Sequence, residues 1–294
     1  MDKVIPLTVL IPVRNEQNNL TKCLAAIVDW ADEIVVVDSQ STDATVEIAK
    51  TYGAQVLQFY YEGGWPKKRQ WAMENYKWKN DWILLLDADE VLLPEIRDEI
   101  SDAIHNIEYD GYWIRFRIYF LGRLLKFGGT DLWKLCLFRT GKGRYEKRLT
   151  EQDKSMADIE IHEHVVIDGK AGHLKNPIRH ENFNLLDRYI SKHNEYSNWE
   201  AKLIITGSGG EVAPRFFGTQ AERRRWLKKR IILVPGSPIL LFLYCYIIKL
   251  GFMDGLPGFN YAVFRGVQWF HIKVKIYEMQ RQAAENNMQL ENKE

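Results

Sequence analysis

Three acidic side chains stand within four positions at Asp87-Ala-Asp-Glu90, at the end of the apolar run that begins at Trp82. Carboxylates this close repel one another, and a chain tolerates them where a hard cation sits between them. Mg²⁺ or Mn²⁺ suits one or two carboxylates completed by phosphate oxygens. The pattern therefore points to a metal–diphosphate site with Asp87 and Asp89 as ligands. The bland alternative is an acidic loop that caps the next helix. Asp38 closes a second apolar run, Glu33-Ile-Val-Val-Val-Asp38, and the polar loop Pro12-Val-Arg-Asn-Glu16 follows a third. Lys67, Lys68 and Arg69 are candidates for holding phosphates, though each reads equally well as part of a solvated basic turn. The first apolar run is not followed by Gly-x-Gly-x-x-Gly, and there is no Gly-Lys-Ser/Thr loop, which disfavours a dinucleotide oxidoreductase or a P-loop enzyme.

Such residues need a frame. Leu7 to Val13, Glu33 to Asp38, Gln55 to Tyr60 and Trp82 to Asp87 are predicted strands. Between and after them, Asn19 to Trp30, Thr42 to Tyr52, Lys67 to Trp78 and Pro94 to Ile104 are predicted helices, with Pro94 suited to a first turn. Continuous β-branched runs alternating with amphipathic helices mean βαβ units and a parallel sheet covered on both faces, an α/β fold. Such sheets bind ligands beyond the carboxyl ends of their strands, where these acids lie. After Asp110 the pattern alternates apolar and charged over Tyr112 to Leu121, Leu132 to Arg139 and Ile159 to Ile167, as in antiparallel or mixed additions. A helix is expected over Leu185 to Leu203, and the Gly-rich break Thr206 to Gly210 divides a catalytic domain, 1–210, from a basic, aromatic helical region, 211–294.

The composition, 46% apolar and 27% charged over 294 residues, excludes a disordered or collagen-like chain. Cys23, Cys136 and Cys245 fit neither a zinc spacing nor a disulfide framework, so a reducing compartment is expected. The apolar run Val4 to Val13 lacks a basic flank and a small-residue cleavage site, so no signal peptide is expected.

The segments LTVLIPVRNEQNNLTKCLAAI, EIVVVDSQSTDAT, WPKKRQWAME and WILLLDADE, in that order, resemble glycosyltransferase family 2 with its GT-A fold. The resemblance implies that Asp87 and Asp89 hold Mn²⁺ or Mg²⁺ on the diphosphate of a nucleotide sugar. It implies that Asp38 contacts the uracil or ribose, and that Pro12, Arg14, Asn15 and Glu16 line the nucleotide pocket. Lys68, Arg69, Asp87 and Ala88 would face the nucleotide sugar. One departure is that the family's common Asp-Asp-Gly-Ser is here Asp38-Ser39-Gln40-Ser41, which keeps only the first acid. Later segments, DLWKLCLFR, IHEHV, GHLKNPIRHENF and YIIKLGFMDGLPGFNYA, resemble bacterial lipopolysaccharide-core β-glucosyltransferases and related polysaccharide enzymes.

An inverting transferase needs a base to take the acceptor's proton, worth roughly 10²–10⁴-fold. Asp158, Glu160 and Glu163 are the candidates, and Glu163 is favoured because the resembled branch carries a His-Glu pair here. In an extended segment His162 and His164 share one face and Glu163 takes the other. The bland reading is a polar edge strand. His162, His164, His173 and His180 make a weak pattern for zinc, and His180 is an unranked alternative contributor to the diphosphate or metal.

From Arg215 to Arg281, 12 Lys/Arg stand against 3 Asp/Glu, a net +9 in a chain of net +1. Ile231 to Ile248 is uncharged, but Pro235-Gly-Ser-Pro238 cuts it and leaves about ten helical residues, roughly 15 Å, against a bilayer core of about 30 Å. Basic residues flank it on both sides, and aromatics interleave with Arg and Lys as far as Tyr277. An anionic membrane surface engaged through 223–277 fits this mixture. Nucleic acid does not, because the neighbours are long aliphatic runs rather than isolated stacking aromatics. An ordinary buried helical pair is the bland reading.

The combined expectation is a metal-dependent inverting glycosyltransferase. It would move a sugar, glucose-type by resemblance, from a UDP-sugar to a lipid-linked or lipopolysaccharide-type acceptor. It would sit on the cytoplasmic side of the inner membrane, peripheral or monotopic. Alternatives are a polyprenyl-phosphate glycosyltransferase, a non-catalytic nucleotide-binding membrane-surface module and a nucleotidyltransferase.

Overall fold

The computed structural model describes residues 4–149, 158–160, 163–181, 186–207, 211–218 and 220–291. They belong to two compact units, one of Met1–Lys126, Thr130–Lys154 and Asp158–Leu185, the other of Phe127–Gly129, Ser155–Ala157 and Leu186–Glu294.

In the first unit the apolar runs become β1 (Ile5–Val13), β2 (Ala31–Asp38), β3 (Gln55–Gln58) and β4 (Trp82–Leu85). The intervening amphipathic segments form α1 (Gln17–Ala25), α2 (Thr45–Thr51) and α3 (Lys68–Asn75). β5 (Glu90–Val91) and α4 (Pro94–Ala103), with Pro94 in its first turn, follow. The alternating region supplies β6 (Gly111–Phe120), β7 (Arg123–Leu124), β8 (Leu132–Arg139), β9 (Gly143–Tyr145), β10 (Val165–Ile167), β11 (Ala171–His173) and β12 (Ile178–Glu181). One sheet runs β3-β2-β1-β4-β8-β6-β12-β5. The β3-β2-β1-β4 half is parallel, and β8 lies antiparallel to both β4 and β6. This is the α/β, GT-A-type arrangement expected, with a mixed extension. Leu7, Val9, Leu10 and Ile11 of β1 are wholly buried because helices cover both faces. Burying one such side chain stabilises by about 1.5–3 kcal/mol.

One expectation needs correction. Among the described residues the strand read over Ile159 to Ile167 is present only as Val165–Ile167, and Asp158 to Glu160 are irregular backbone. Asp158 O accepts the Lys68 N–H (3.1 Å), and Glu160 accepts two amides of α3, so these residues serve a helix start rather than a ladder. His162 lies outside the described residues.

The second unit is helical, with α5 (Leu186–Thr206), α6 (Gln220–Ile231), α7 (Ser237–Leu243) and the long α8 (Gly255–Glu291). Thr206 and Gly207, which open the stretch read above as a domain break, fall inside this unit, and residues 208–210 lie outside the described residues. Pro238 opens α7, which runs on as a π-helical turn, Tyr244–Ile248, and then a 3₁₀ turn, Gly251–Asp254. Leu241 and Cys245 pack with Ala262, Trp269, Ile272 and Ile276 of α8. The Leu-Gly-Phe-Met-Asp-Gly-Leu-Pro-Gly stretch makes the bend between them. Gly255 has φ +67°, and a Cβ on Gly258 would overlap the Gly251 carbonyl oxygen. Among the described residues no single helix is long and apolar enough to cross a membrane. Ser237–Ile248 and Gly251–Asn286 pass that test as a pair but are bent by 70°.

Candidate active site

The loops after β1 and β2 are laced together. Asn15, at φ +54°, donates its N–H to Ser41 Oγ (2.8 Å), and its Oδ1 accepts the Thr42 N–H (2.8 Å). The Glu16 N–H reaches Thr45 Oγ1 at 2.8 Å, and its carboxylate accepts from Asn19 Nδ2 at 2.6 Å. Asp38 is buried at the end of β2, where it accepts from the Ser41 hydroxyl and from Gln58 Nε2 (3.1 Å). Pro12 is buried beside it in the β1–β2 register, while Arg14 is exposed. The departure at Ser39-Gln40-Ser41 therefore has a structural use, since Ser41 ties both loops to Asp38.

β4 gives way to a tight acidic turn. The Glu90 N–H donates to Asp87 O (2.9 Å), and Glu90 Oε2 accepts the Asp87 N–H (2.8 Å). Ala88 is buried inside the turn. Glu90 then starts β5, which pairs antiparallel with β12 and brings His180 opposite it. His180 Nε2 lies 3.1 Å from Asp89 Oδ2, and the Glu181 N–H donates to Asp89 O at 2.7 Å. Two cations face this turn. Arg69, on α3, pairs with Asp87. Lys134, on β8, stands 2.6 Å from Glu90 Oε1 and 3.3 Å from Asp87 Oδ2, its Nζ 4.3 Å from the Phe116 ring centroid.

The charges explain the titration. Burial alone raises the Asp87 carboxyl, but Arg69 and Lys134 outweigh it and hold Asp87 well below the usual carboxylate range. Burial, followed by the Asp87 charge, pushes Glu90 up despite Lys134. Burial opposes protonation of His180, yet Asp89 raises its pKa. Burial also pushes the Cys23 and Cys136 thiols up, so neither is an activated nucleophile.

Sequence reasoning missed Lys134. The signal was present, because Leu132-Trp-Lys-Leu-Cys-Leu-Phe138 carries one charge inside an otherwise apolar strand. His180 was left unranked, and β12 places it against Asp89.

The three base candidates all lie against the basic triplet. Asp158 Oδ2 is 3.1 Å from Lys68 Nζ, which also donates to Val13 O at 2.8 Å. Glu160 accepts the backbone N–H groups of Arg69 (3.2 Å) and Gln70 (2.9 Å). Glu163 Oε1 is 3.5 Å from Lys67 Nζ, and both side chains have no exposed surface. The triplet, offered above as phosphate-holding candidates with a solvated turn as the bland alternative, is buried with an acid against each cation.

Asp87, Asp89 and His180 are ligand types that suit a hard or borderline divalent ion. Among the described residues no three His, Cys, Asp or Glu side chains converge at ligand spacing. Mg²⁺- or Mn²⁺-type binding needs only one or two protein carboxylates, completed by phosphate oxygens and water. A shallow cleft lined by Pro6, Lys79, Asn80 and Arg139 opens at the opposite ends of β1 and β4 and contains none of these groups.

Residues 8–162 match the family described as glycosyl transferase family 2. The lipopolysaccharide core biosynthesis glycosyltransferase LpsC of Rhizobium meliloti (strain 1021) is 30% identical over 295 residues, covering 97% of this chain and 96% of that protein. An uncharacterized glycosyltransferase of Rickettsia typhi is 29% identical over 202 residues, 68% of each chain. The solved structure of TarS 1–349 from S. aureus is 14% identical, with a TM-score of 0.44, over 95% of this chain and 92% of that one. With the family's motifs matched over more than half its length and a relative aligned nearly end to end, the chain belongs to glycosyltransferase family 2.

Proposed function

We propose that this glycosyltransferase moves a sugar, a glucose-type hexose, from a UDP-sugar to a lipid-linked or lipopolysaccharide-type acceptor, with inversion, at the cytoplasmic face of the inner membrane. The observation that carries the reading is the acidic turn Asp87–Glu90, at the carboxyl end of a parallel strand and gripped by Arg69 and Lys134. The similarity to a lipopolysaccharide core biosynthesis enzyme supports the acceptor class.

In this reading Asp38 reads the uracil or ribose, held in place by Ser41 and Gln58. Pro12, Arg14, Asn15 and Glu16 wall the nucleotide, and Lys68 steadies that wall through Val13 O. Asp87 and Asp89, with His180 beside them, would hold Mn²⁺ or Mg²⁺, which supplies positive charge to the departing diphosphate. Arg69 and Lys134 stand where they can turn from the carboxylates to diphosphate oxygens, stabilising the charge that develops as UDP leaves. Glu160 is committed to the start of α3 and Asp158 to Lys68, and Glu163 is the proposed base because the resembled branch carries a His-Glu pair there. A donor panel with Mn²⁺ and membrane extract, scored by UDP release, tests the whole. Asp89→Ala is expected to abolish transfer, and full activity of that variant in EDTA refutes the metal role.

One observation favours a second reading. All three candidate bases are engaged with the basic triplet. A polyprenyl phosphate needs little base catalysis, and for that acceptor Glu163→Gln keeps most of the activity.

A further inference from the structure

The helix Ser237–Ile248 is apolar on two faces. One face, with Leu241 and Cys245, packs against α8. The other carries Ile239, Leu240, Leu243, Tyr244, Ile247 and Ile248, all exposed. Their spacing of one, then three, residues keeps them on a single stripe. Ile239 and Ile248 are 64% and 67% exposed, and beyond the bend the stripe is joined by Phe252, Met253 and Leu256, the last at 70%. Soluble surfaces rarely display so many contiguous large apolar groups unless something covers them.

The charges name the cover. Between Arg223 and Tyr277 the sequence holds ten Lys/Arg and one acid, Asp254. Asp254 is buried, its carboxylate accepting the Phe127 N–H at 2.9 Å. The exposed charge of this stretch is therefore wholly positive, with Arg223, Arg230 and Lys249 at the surface. A second copy of this chain would bring the same positive charge to the contact. An anionic leaflet brings apolar chains and the opposite charge together.

We infer that the stripe on Ser237–Ile248 and the following turn lies in the plane of an anionic bilayer, its apolar side chains in the acyl region and its basic residues among the headgroups. The orientation follows from two features. Twelve residues span about 18 Å, too short for a hydrocarbon core of about 30 Å. The charged, exposed Lys249 stands at the bend, which a tip-first hairpin would drive deepest. Lying flat, the segment sinks about 5–10 Å and Lys249 reaches the phosphates. The inference deepens the membrane-face reading of the acceptor and rests on it for its purpose, while its test is independent of turnover.

The full chain is sedimented with vesicles of phosphatidylglycerol and phosphatidylcholine, and with phosphatidylcholine alone. Strong binding to the first and at least about tenfold weaker binding to the second are expected. The fourfold variant Ile239→Ser, Ile247→Ser, Ile248→Ser and Leu256→Ser changes only exposed positions. It is expected to keep its melting midpoint and UDP affinity while partitioning at least about 100-fold more weakly. A fluorophore on Ile247→Cys is expected to be quenched by bromines on the acyl chains, and one on Lys249→Cys is not. Unchanged partitioning of the fourfold variant overturns the proposal. So does a label at 249 deeper than one at 247, or a wild-type dimer dispersed by the variant without loss of vesicle binding. Failure of the wild type to bind UDP would instead sink the transferase reading and leave the vesicle result standing.

Discussion

Replacing Lys134 by Met removes an ammonium shared by two carboxylates while keeping most of the aliphatic stem. The lost contacts are 2.6 Å to Glu90 and 3.3 Å to Asp87. Breaking a fully buried pair costs about 3–5 kcal/mol, and an exposed pair is worth about 0–1 kcal/mol. Glu90 is buried but the Lys134 side chain is 39% exposed, so the cost lies between these limits, at about 2 kcal/mol. For a chain of 294 residues that lowers the melting midpoint by about 3 °C. The loss has a signature. Asp87, Asp89 and Glu90 bring three negative charges against Arg69 and Lys134, and removing Lys134 leaves the turn short of one cation. Added Mn²⁺ is then expected to raise the midpoint of Lys134→Met more than that of the wild type. UDP affinity, measured by calorimetry at saturating Mn²⁺, is expected to fall about tenfold, the loss of one charge-assisted contact. Differential scanning fluorimetry across a Mn²⁺ series reads the first effect. An unchanged midpoint together with an unchanged Mn²⁺ response would refute the idea that Lys134 balances the acidic turn.

Other outcomes follow from the same geometry. Lys67→Met leaves Glu163 buried without its ion pair and is expected to cost about 3–5 kcal/mol in urea unfolding, with Lys67→Met/Glu163→Leu recovering most of it. Asn15→Ala is expected to cost about 1–3 kcal/mol, because it removes the Thr42 contact and leaves a Cβ residue in the left-handed region; Asn15→Gly should recover the backbone share. Burial raises the Asp158 carboxyl, but Lys68 outweighs it and holds the folded pKa below the ordinary aspartate value. A depressed acid stabilises the fold above its unfolded pKa, and that contribution is lost as pH falls through the lower folded value. The melting midpoint should therefore drop steeply below about pH 4, less so in Asp158→Asn.

The parallel half of the sheet was legible because each of its strands is a continuous apolar run and the acids sit where those runs stop. Asp38 and Asp87 needed no more than that. The rest was hidden for two physical reasons. Strands such as β5 and β12 are too short to show periodicity, so the meeting of His180 with Asp89 could not be read from spacing. The acids at 158, 160 and 163 look like free candidates in a string of letters. Only the folded chain shows each of them facing one of Lys67, Lys68 and Arg69. The Gly-rich stretch after Lys249 was noticed as a motif, and its reason, the close approach of Gly258 to the Gly251 carbonyl, is steric.

The pairing of β5 with β12 sets His180 against Asp89, 91 positions earlier in the chain, at the acidic turn. A ribosome that has released only the first half of the catalytic unit has made Asp87, Asp89 and Arg69, but not the strand that carries His180. Closure of the acidic turn therefore waits until β12 has cleared the exit tunnel, and a chain truncated before β12 carries Asp87, Asp89 and Arg69 without the strand that brings His180 to them.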